Sequence, residues 1–413
     1  MMAWISASSS GFIGVGIVGQ LDGGRKLEFG SGVREGPDAD FRGLSGEIGC
    51  TGRKPFFRVT RVSAAKTHRS PSARAGSKHQ TSAPHELLLS TYKWMLLART
   101  LEDKLASLYR SGKIVGGVYL GRGQEAFSAA LAAHLDQAGG DVYAPLIRDM
   151  AGRLAFGEPL IDPMRTYLGS PLGPMRGRDG NIHRGRPREG MLAMISHLGA
   201  MVSVVNGVLL SRRLRGIGGQ VGAACVGDGA TSTGAFHEAL NQAAVEKLPL
   251  VVAVANNQFA YSTPTSRQFA CADLVDRAIG YGVAGHRCDG TNLEDCLQTF
   301  GEAVRRARQG EGPQLVVGSL LRLSGHGEHD DAGYVPAAVR KSALAADCID
   351  LAGGRLIERG WAAEVDLATW KSEAVNRVEE VLEQVASEPL PDPLGETWCA
   401  LSVRHLCEGN LGA

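Results

Sequence analysis

The chain has 413 residues, with 44 lysines and arginines against 43 aspartates and glutamates, for a net charge of +1. That length holds one large or two ordinary domains, and so even a balance supplies no field for recruiting nucleic acid or an anionic membrane. The apolar runs 11–19 and 191–210 are, respectively, too short and too interrupted by polar residues to span a bilayer. Eight cysteines without a C-x-x-C pair read as reduced thiols, which points to the cytoplasm.

Residues 1–84 are rich in Gly, Ser and Arg and keep no helical or strand period for more than a few positions. They are expected to be a disordered or spurious extension. The acid-free, basic stretch between Glu47 and Glu86 also fits a transit peptide, which would place the protein in the mitochondrial matrix. Order is expected from 85 to 395, with a short tail at 396–413.

In chain order, the apolar spacing predicts a helix over Glu86–Arg110, a Gly-rich loop over Val115–Gly123 and a helix over Gln124–Leu135. Short apolar runs then alternate with helices. Met201–Arg215 reads as a helix, Gln220–Val226 as a strand, Gly234–Lys247 as a helix and Leu250–Ala255 as a strand. A helix over Ala272–Tyr281 follows, then one over Leu293–Gln309 opened by a capping box at Thr291-x-x-Glu294. A strand over Gln314–Leu321 and helices over Arg340–Arg359 and Glu364–Ala386 close the chain. Strands separated by helices imply right-handed βαβ units, an α/β fold whose parallel sheet carries helices on both faces. Helical extensions flank it at both ends.

The segment G-D-G-x26-N-N carries most of the chemistry. Asp228 ends one strand and Asn256-Asn257 ends the next, so a carboxylate and an amide oxygen meet at the carboxyl edge of the sheet, where open α/β folds bind ligands. Gly227 and Gly229 are expected to allow a sharp turn and close approach to a phosphate, and Ser232 or Thr233 to cap the next helix. Asp228, Asn257 and the Phe259 carbonyl are oxygen ligands of the kind Mg²⁺ takes. A magnesium-held diphosphate is the expected occupant. His326 and His329, with neighbouring carboxylates, resemble a zinc set in composition, but Gly325 and Gly327 deny them a common helix face.

G-D-G-x26-N-N resembles the thiamine diphosphate motif. The stretches G-R-G-Q-E-A (121–126), R-G-R-D-G-N-I-H (176–183), I-S-H-L-G-A (195–200), Y-S-T-P-T-S-R-Q (261–268) and S-G-H-G-E-H-D-D (324–331) narrow this further. Over 86–395 the chain resembles the alpha subunit of the decarboxylating component of 2-oxo acid dehydrogenase complexes, and so implies a thiamine-diphosphate-binding fold. The resemblance implies that Asp228, Asn257 and Phe259 bind Mg²⁺, and that Gly227, Gly229, Ala230 and Arg148 surround the diphosphate. Ser196 and Leu198 would contact the aminopyrimidine, and His326 would reach the cofactor and act in catalysis. Three positions depart from the family pattern. Ile147 replaces the Tyr or His that often precedes the diphosphate arginine, Tyr119 stands where some members have His, and Gly327 replaces the regulatory serine of animal enzymes.

The implied activity is that of an oxidoreductase acting on the oxo group of donors with a disulfide as acceptor. A 2-oxo acid is decarboxylated and its acyl group passes to a lipoyl group of the acyltransferase component. Family members take the glutamate that activates the pyrimidine from a separate domain, and once the N-terminal extension is subtracted too little chain remains for one. A beta subunit in an α₂β₂ heterotetramer is therefore expected. The 261–268 segment leans towards branched-chain 2-oxo acids such as 2-oxoisovalerate, with pyruvate next. An acetoin-cleaving or other thiamine enzyme, or a non-catalytic scaffold, is the alternative.

Overall fold

A computed structural model describes residues 84–178 and 183–392, together with the backbone of three N-terminal strands. The chain divides into two compact units, 1–78 and 79–413. In the first, β1 (Met2–Ala7), β2 (Phe12–Gln20) and β3 (Lys26–Arg34) pair antiparallel in that order. These strands were not anticipated, because glycines interrupt their alternation. The remainder of the expected disordered or transit segment, the tail 396–413 and residues 179–182 of the R-G-R-D-G-N-I-H stretch lie outside the described residues.

The second unit is built on a five-stranded parallel sheet in the order β4 (Val142–Ala144), β5 (Gly222–Gly227), β6 (Leu250–Asn256), β10 (Gln314–Ser319), β9 (Ala284–Asp289). Between β6 and β9 a minimal hairpin forms from β7 (Phe259–Ala260) and β8 (Thr263–Pro264). The strand sequences explain the layering. In β6, Val251, Ala253 and Ala255 face one apolar cluster, while Leu250, Val252 and Val254 face a second. A strand buried on both sides has no polar face to alternate with.

The first cluster is covered by α1 (His85–Arg110), α2 (Glu125–Ala132), α3 (Met150–Phe156) and α8 (Leu293–Arg308), with α10 (Cys348–Glu358) and α11 (Glu364–Ala386) outside α1. The second is covered by α5 (Ala200–Leu214), α6 (Gly234–Val245) and the short α7 (Arg277–Tyr281). Two small helices, α4 (Ile161–Leu168) and α9 (Ala337–Arg340), complete the set among the described residues. Among the described residues no helix is long and apolar enough to cross a membrane.

Three expectations are corrected. The helix over Ala272–Tyr281 is a 3₁₀ turn at Leu274–Asp276 followed by α7, since Asp273 caps the turn through Val275 N–H and delays the helix. Of the helix over Arg340–Arg359 only α10 forms, after the end of α9 at Arg340 and a 3₁₀ turn at Ala343–Ala345, because Asp347 accepts from Ile349 N–H and starts a new helix. The cap of α8 is Asn292, which accepts from Glu294 and Asp295 N–H; Thr291 instead donates its hydroxyl to Asp289.

Candidate functional site

The carboxyl ends of β5 and β6 open into a cavity of about 420 Å³ lined by Asp228, Asn257, Arg148, Ser196, Arg322 and His326, among others. The register pairs Gly227 with Ala255, so Asp228 and Asn257 leave the sheet side by side. Asp228 is 2% exposed and Asn257 6%. One carboxylate oxygen of Asp228 accepts from Gly229 N–H at 2.8 Å, but among the described residues Oδ2 has no partner, and neither has Asn257 Oδ1. Leaving a buried acceptor unpaired costs about 1–3 kcal/mol. Two such oxygens at one cavity are what a hard cation would satisfy. Burial pushes the Asp228 carboxyl up to about 6, partly offset by the Gly229 N–H and the Arg322 charge.

The glycines serve differently from expectation. Gly227 has φ −87°, open to any residue, so no turn requires it. A Cβ there would meet no protein atom within 4 Å, which leaves space beside Asp228 for a ligand. At Gly229 a Cβ would lie 2.4 Å from that of Ala260, so packing forbids a side chain. The Gly229 amide is spent on Asp228, not held free for a diphosphate. Thr233, not Ser232, caps α6, accepting from Phe236 N–H.

Opposite the sheet edge stands a cationic wall. Arg148 is buried and donates from Nη1 to Leu120 O at 3.0 Å and from Nη2 to His326 O; Nη2 also lies 3.3 Å from His326 Nδ1. Arg322, equally buried, donates to Tyr261 O and Tyr334 Oη at 3.0 Å. Both guanidinium groups spend their bonds on carbonyls, an imidazole and a phenol instead of carboxylates. Their positive charge is left for an anion. Burial and the Arg322 charge together lower Arg148 to about 10. Burial, then the charges of Arg148 and Arg322, lower His326 to about 4, so its imidazole is neutral near pH 7.

The family model described as "Dehydrogenase E1 component" matches residues 92–394. The chain belongs to this E1 family. It is 33% identical to the alpha subunit of acetoin:2,6-dichlorophenolindophenol oxidoreductase of Cupriavidus necator, over 75% of this chain and 92% of that one. The alpha subunit of the pyruvate dehydrogenase E1 component of Rhizobium meliloti is 32% identical, over 74% of this chain and 87% of its own. The 2-oxoisovalerate dehydrogenase alpha subunit of Bacillus subtilis is 33% identical, over 73% and 91%. Thiamine diphosphate is the cofactor the E1 family implies.

In this E1 chain the structure brings Arg148, Ser196, Leu198, Gly227, Asp228, Gly229, Ala230, Asn257, Phe259 and His326 to one cavity. Leu198 is 59% exposed and Ile195 38%, so the wall carrying Ser196 stands open to the outside. Ile147 also lines the cavity, an apolar side chain beside the arginine. Sequence reasoning missed Arg322, whose one signal was a lone arginine in the apolar run that follows β10. It also missed how the 324–334 loop is held. Asp330 Oδ2 accepts from His326 N at 2.6 Å and from Tyr334 Oη at 2.7 Å, while Oδ1 accepts from Ala332 N. Burial opposes ionisation of Asp330, but these three donors outweigh it and hold the carboxyl at about 2. Among the described residues no group of three His, Cys, Asp or Glu side chains is arranged to hold a metal at His326 and His329. Tyr261 and Tyr119 flank the His326 ring, with centroids at 4.5 and 5.6 Å.

Proposed function

We propose that this chain is the alpha subunit of a 2-oxo acid dehydrogenase, holding the Mg²⁺-diphosphate end of thiamine diphosphate in the cavity at β5 and β6. The observation that carries this reading is the pair of buried oxygens, Asp228 Oδ2 and Asn257 Oδ1, unpartnered among the described residues and sharing a cavity with two arginines that have no described carboxylate partner. When bound, thiamine diphosphate supplies the carbon nucleophile and electron sink that let a 2-oxo acid lose CO₂. Asp228, Asn257 and the Phe259 carbonyl would hold the cation. A cation drawing Asp228 towards it would release the Gly229 amide, which together with that of Ala230 could then donate to phosphate oxygens. Arg148 would turn its Nη2 from the His326 carbonyl to the diphosphate, a charge-assisted bond stronger than the one it gives up. His326, neutral and edged by tyrosines, offers a ring nitrogen able to accept or return a proton near the reacting centre.

The exposed apolar wall at Ile195 and Leu198 supports a site completed by a second polypeptide. We assign that role to a beta subunit in an α₂β₂ assembly, with a lipoyl-bearing acyltransferase as the acyl acceptor. Branched-chain 2-oxo acids are the first choice of substrate and pyruvate the second. The acetoin reading draws on the 33% identity to an acetoin oxidoreductase alpha subunit, no lower than that to the 2-oxoisovalerate enzyme. Turnover of 2-oxoisovalerate, pyruvate and acetoin by the co-expressed pair, followed with an artificial electron acceptor, decides among them. Release of CO₂ from an oxo acid is expected; turnover of acetoin alone would overturn the oxo acid assignment.

A further inference from the structure

One buried carboxyl group takes no part in the cavity described above, yet stands directly behind it. Glu102 lies on the packed face of α1 and is 1% exposed. Both its oxygens accept from Gly121 N–H at 2.9 Å. The other end of that same peptide unit, Leu120 C=O, accepts from Arg148 Nη1 at 3.0 Å. A trans peptide points its N–H and C=O in opposite directions. A single amide is thus clamped between a carboxyl group and the guanidinium that lines the cavity. The clamp is tight: a Cβ on Gly121 would lie 2.1 Å from the Arg148 carbonyl and 3.2 Å from Glu102 Oε1, so only glycine fits.

We propose that Glu102 is a positioning residue for Arg148: through the Leu120–Gly121 peptide, its carboxyl group sets how much of that arginine's charge is left for an anion in the cavity. This rests on reading Arg148 as a diphosphate-binding residue. An ionised Glu102 polarises the amide, makes Leu120 O a stronger acceptor for Arg148, and places a buried negative charge behind the anion site. A neutral Glu102 does neither.

The surroundings put this choice within reach of ordinary pH. Burial, then the nearby Glu125 charge, pushes the Glu102 carboxyl up to about 8, against the Gly121 N–H and the charges of Arg99 and Arg122. Each of these neighbours is otherwise engaged. Glu125 pairs with Arg99, which also binds Asp347, and Arg122 pairs with Asp103. From α4, Tyr167 faces Glu102 and is itself held up at about 12. Asp228, His326 and Arg148 titrate at about 6, 4 and 10, outside the window in which Glu102 changes.

The test is a thiamine diphosphate titration of the chain together with its beta subunit, at saturating Mg²⁺, from about pH 7 to about pH 9. For wild type, affinity is expected to fall on the order of tenfold across this range as Glu102 ionises. Glu102→Gln, neutral throughout, should bind with affinity independent of pH. Equal pH dependence in the two proteins would overturn the inference and leave Glu102 as a purely structural partner of Gly121. Should the variant fail to fold, the wild-type profile decides by itself, since a flat profile contradicts the proposal. Flat but tight wild-type binding keeps the diphosphate reading. Absence of any binding removes that reading, and this inference with it.

Discussion

The two sides of the cavity are built on opposite plans. The Asp228–Asn257 side is fixed by the sheet: strand register places both residues, Gly227 leaves space beside them, and two oxygens are left unpaired among the described residues at a cost in stability. On the Arg148–His326 side the polar groups are instead bound to one another through a loop. Arg148 holds the His326 carbonyl and Asp330 the His326 amide, while the Tyr334 hydroxyl donates to Asp330 and accepts from Arg322 behind it. The first side leaves two oxygens open to a ligand and has one internal bond to release, that of the Gly229 amide; the second has to exchange several. Substitutions on the first side should therefore act mainly on binding, and those on the second mainly on how the loop is set.

The largest effect is expected at Asp228. Asp228→Ala should weaken Mg²⁺-dependent thiamine diphosphate binding by about 100-fold or more, since a metal ligand is lost outright and even its supporting partners are worth about 10–100-fold. Calorimetric titration with the beta subunit present measures this, and unchanged affinity would break the assignment of this side. Arg148→Ala should follow, with a loss of roughly 10- to 150-fold for one charge-assisted contact of about 1.5–3 kcal/mol. A loss exceeding that at Asp228 would mean the two sides do not divide the work as described.

Stability should move the other way on the sheet side. A carboxyl whose pKa rises on folding contributes stability that is present below its unfolded value, near 4, and lost as pH rises through about 6. At neutral pH the buried Asp228 charge is a burden. Asp228→Asn should accordingly stabilise the cofactor-free chain by on the order of 2 kcal/mol at pH 7, and by progressively less towards pH 4. Thermal melts without cofactor check this. His326 behaves in the opposite sense. Its pKa is depressed to about 4, so its contribution is present above about 6.5 and lost as the pH falls. The smallest effect is expected on the loop. Tyr334→Phe removes the hydroxyl that joins Arg322 to Asp330, and should lower turnover several-fold while cofactor affinity stays close to wild type. Steady-state kinetics beside a binding titration would show the split, and an equal loss in both would join the loop to the binding side.

This division also explains what the sequence could tell. The strand ends at Asp228 and Asn257 and the cap at Thr233 were legible because strand ends and helix caps are local, set by an apolar run and the polar residue that closes it. The double-sided burial of β6 was legible from an unbroken apolar run, whereas β9 was not, since its residues alternate exposed and half-buried and include Arg287 and Asp289. Helix breaks at Asp273 and Asp347 escaped because a capping Asp looks like any polar residue of an amphipathic pattern. Arg322, Tyr334 and Asp330 escaped for a different reason. Their roles are bonds to one another across a loop, and loop residues carry no period from which to read a neighbour. Glu102 left a faint trace, a carboxylate on the apolar stripe of α1 between Leu101 and Leu105. Its meaning required the Gly121 amide 19 residues away.

One titration tests the central claim most directly. Thiamine diphosphate is added to the chain alone and to the chain with its beta subunit, each with and without Mg²⁺. Tight, saturable binding is expected only when Mg²⁺ and the beta subunit are both present, because the cavity grips one end of the cofactor and leaves the Ile195–Leu198 wall open. Equally tight binding by the isolated chain, or binding indifferent to Mg²⁺, would contradict it.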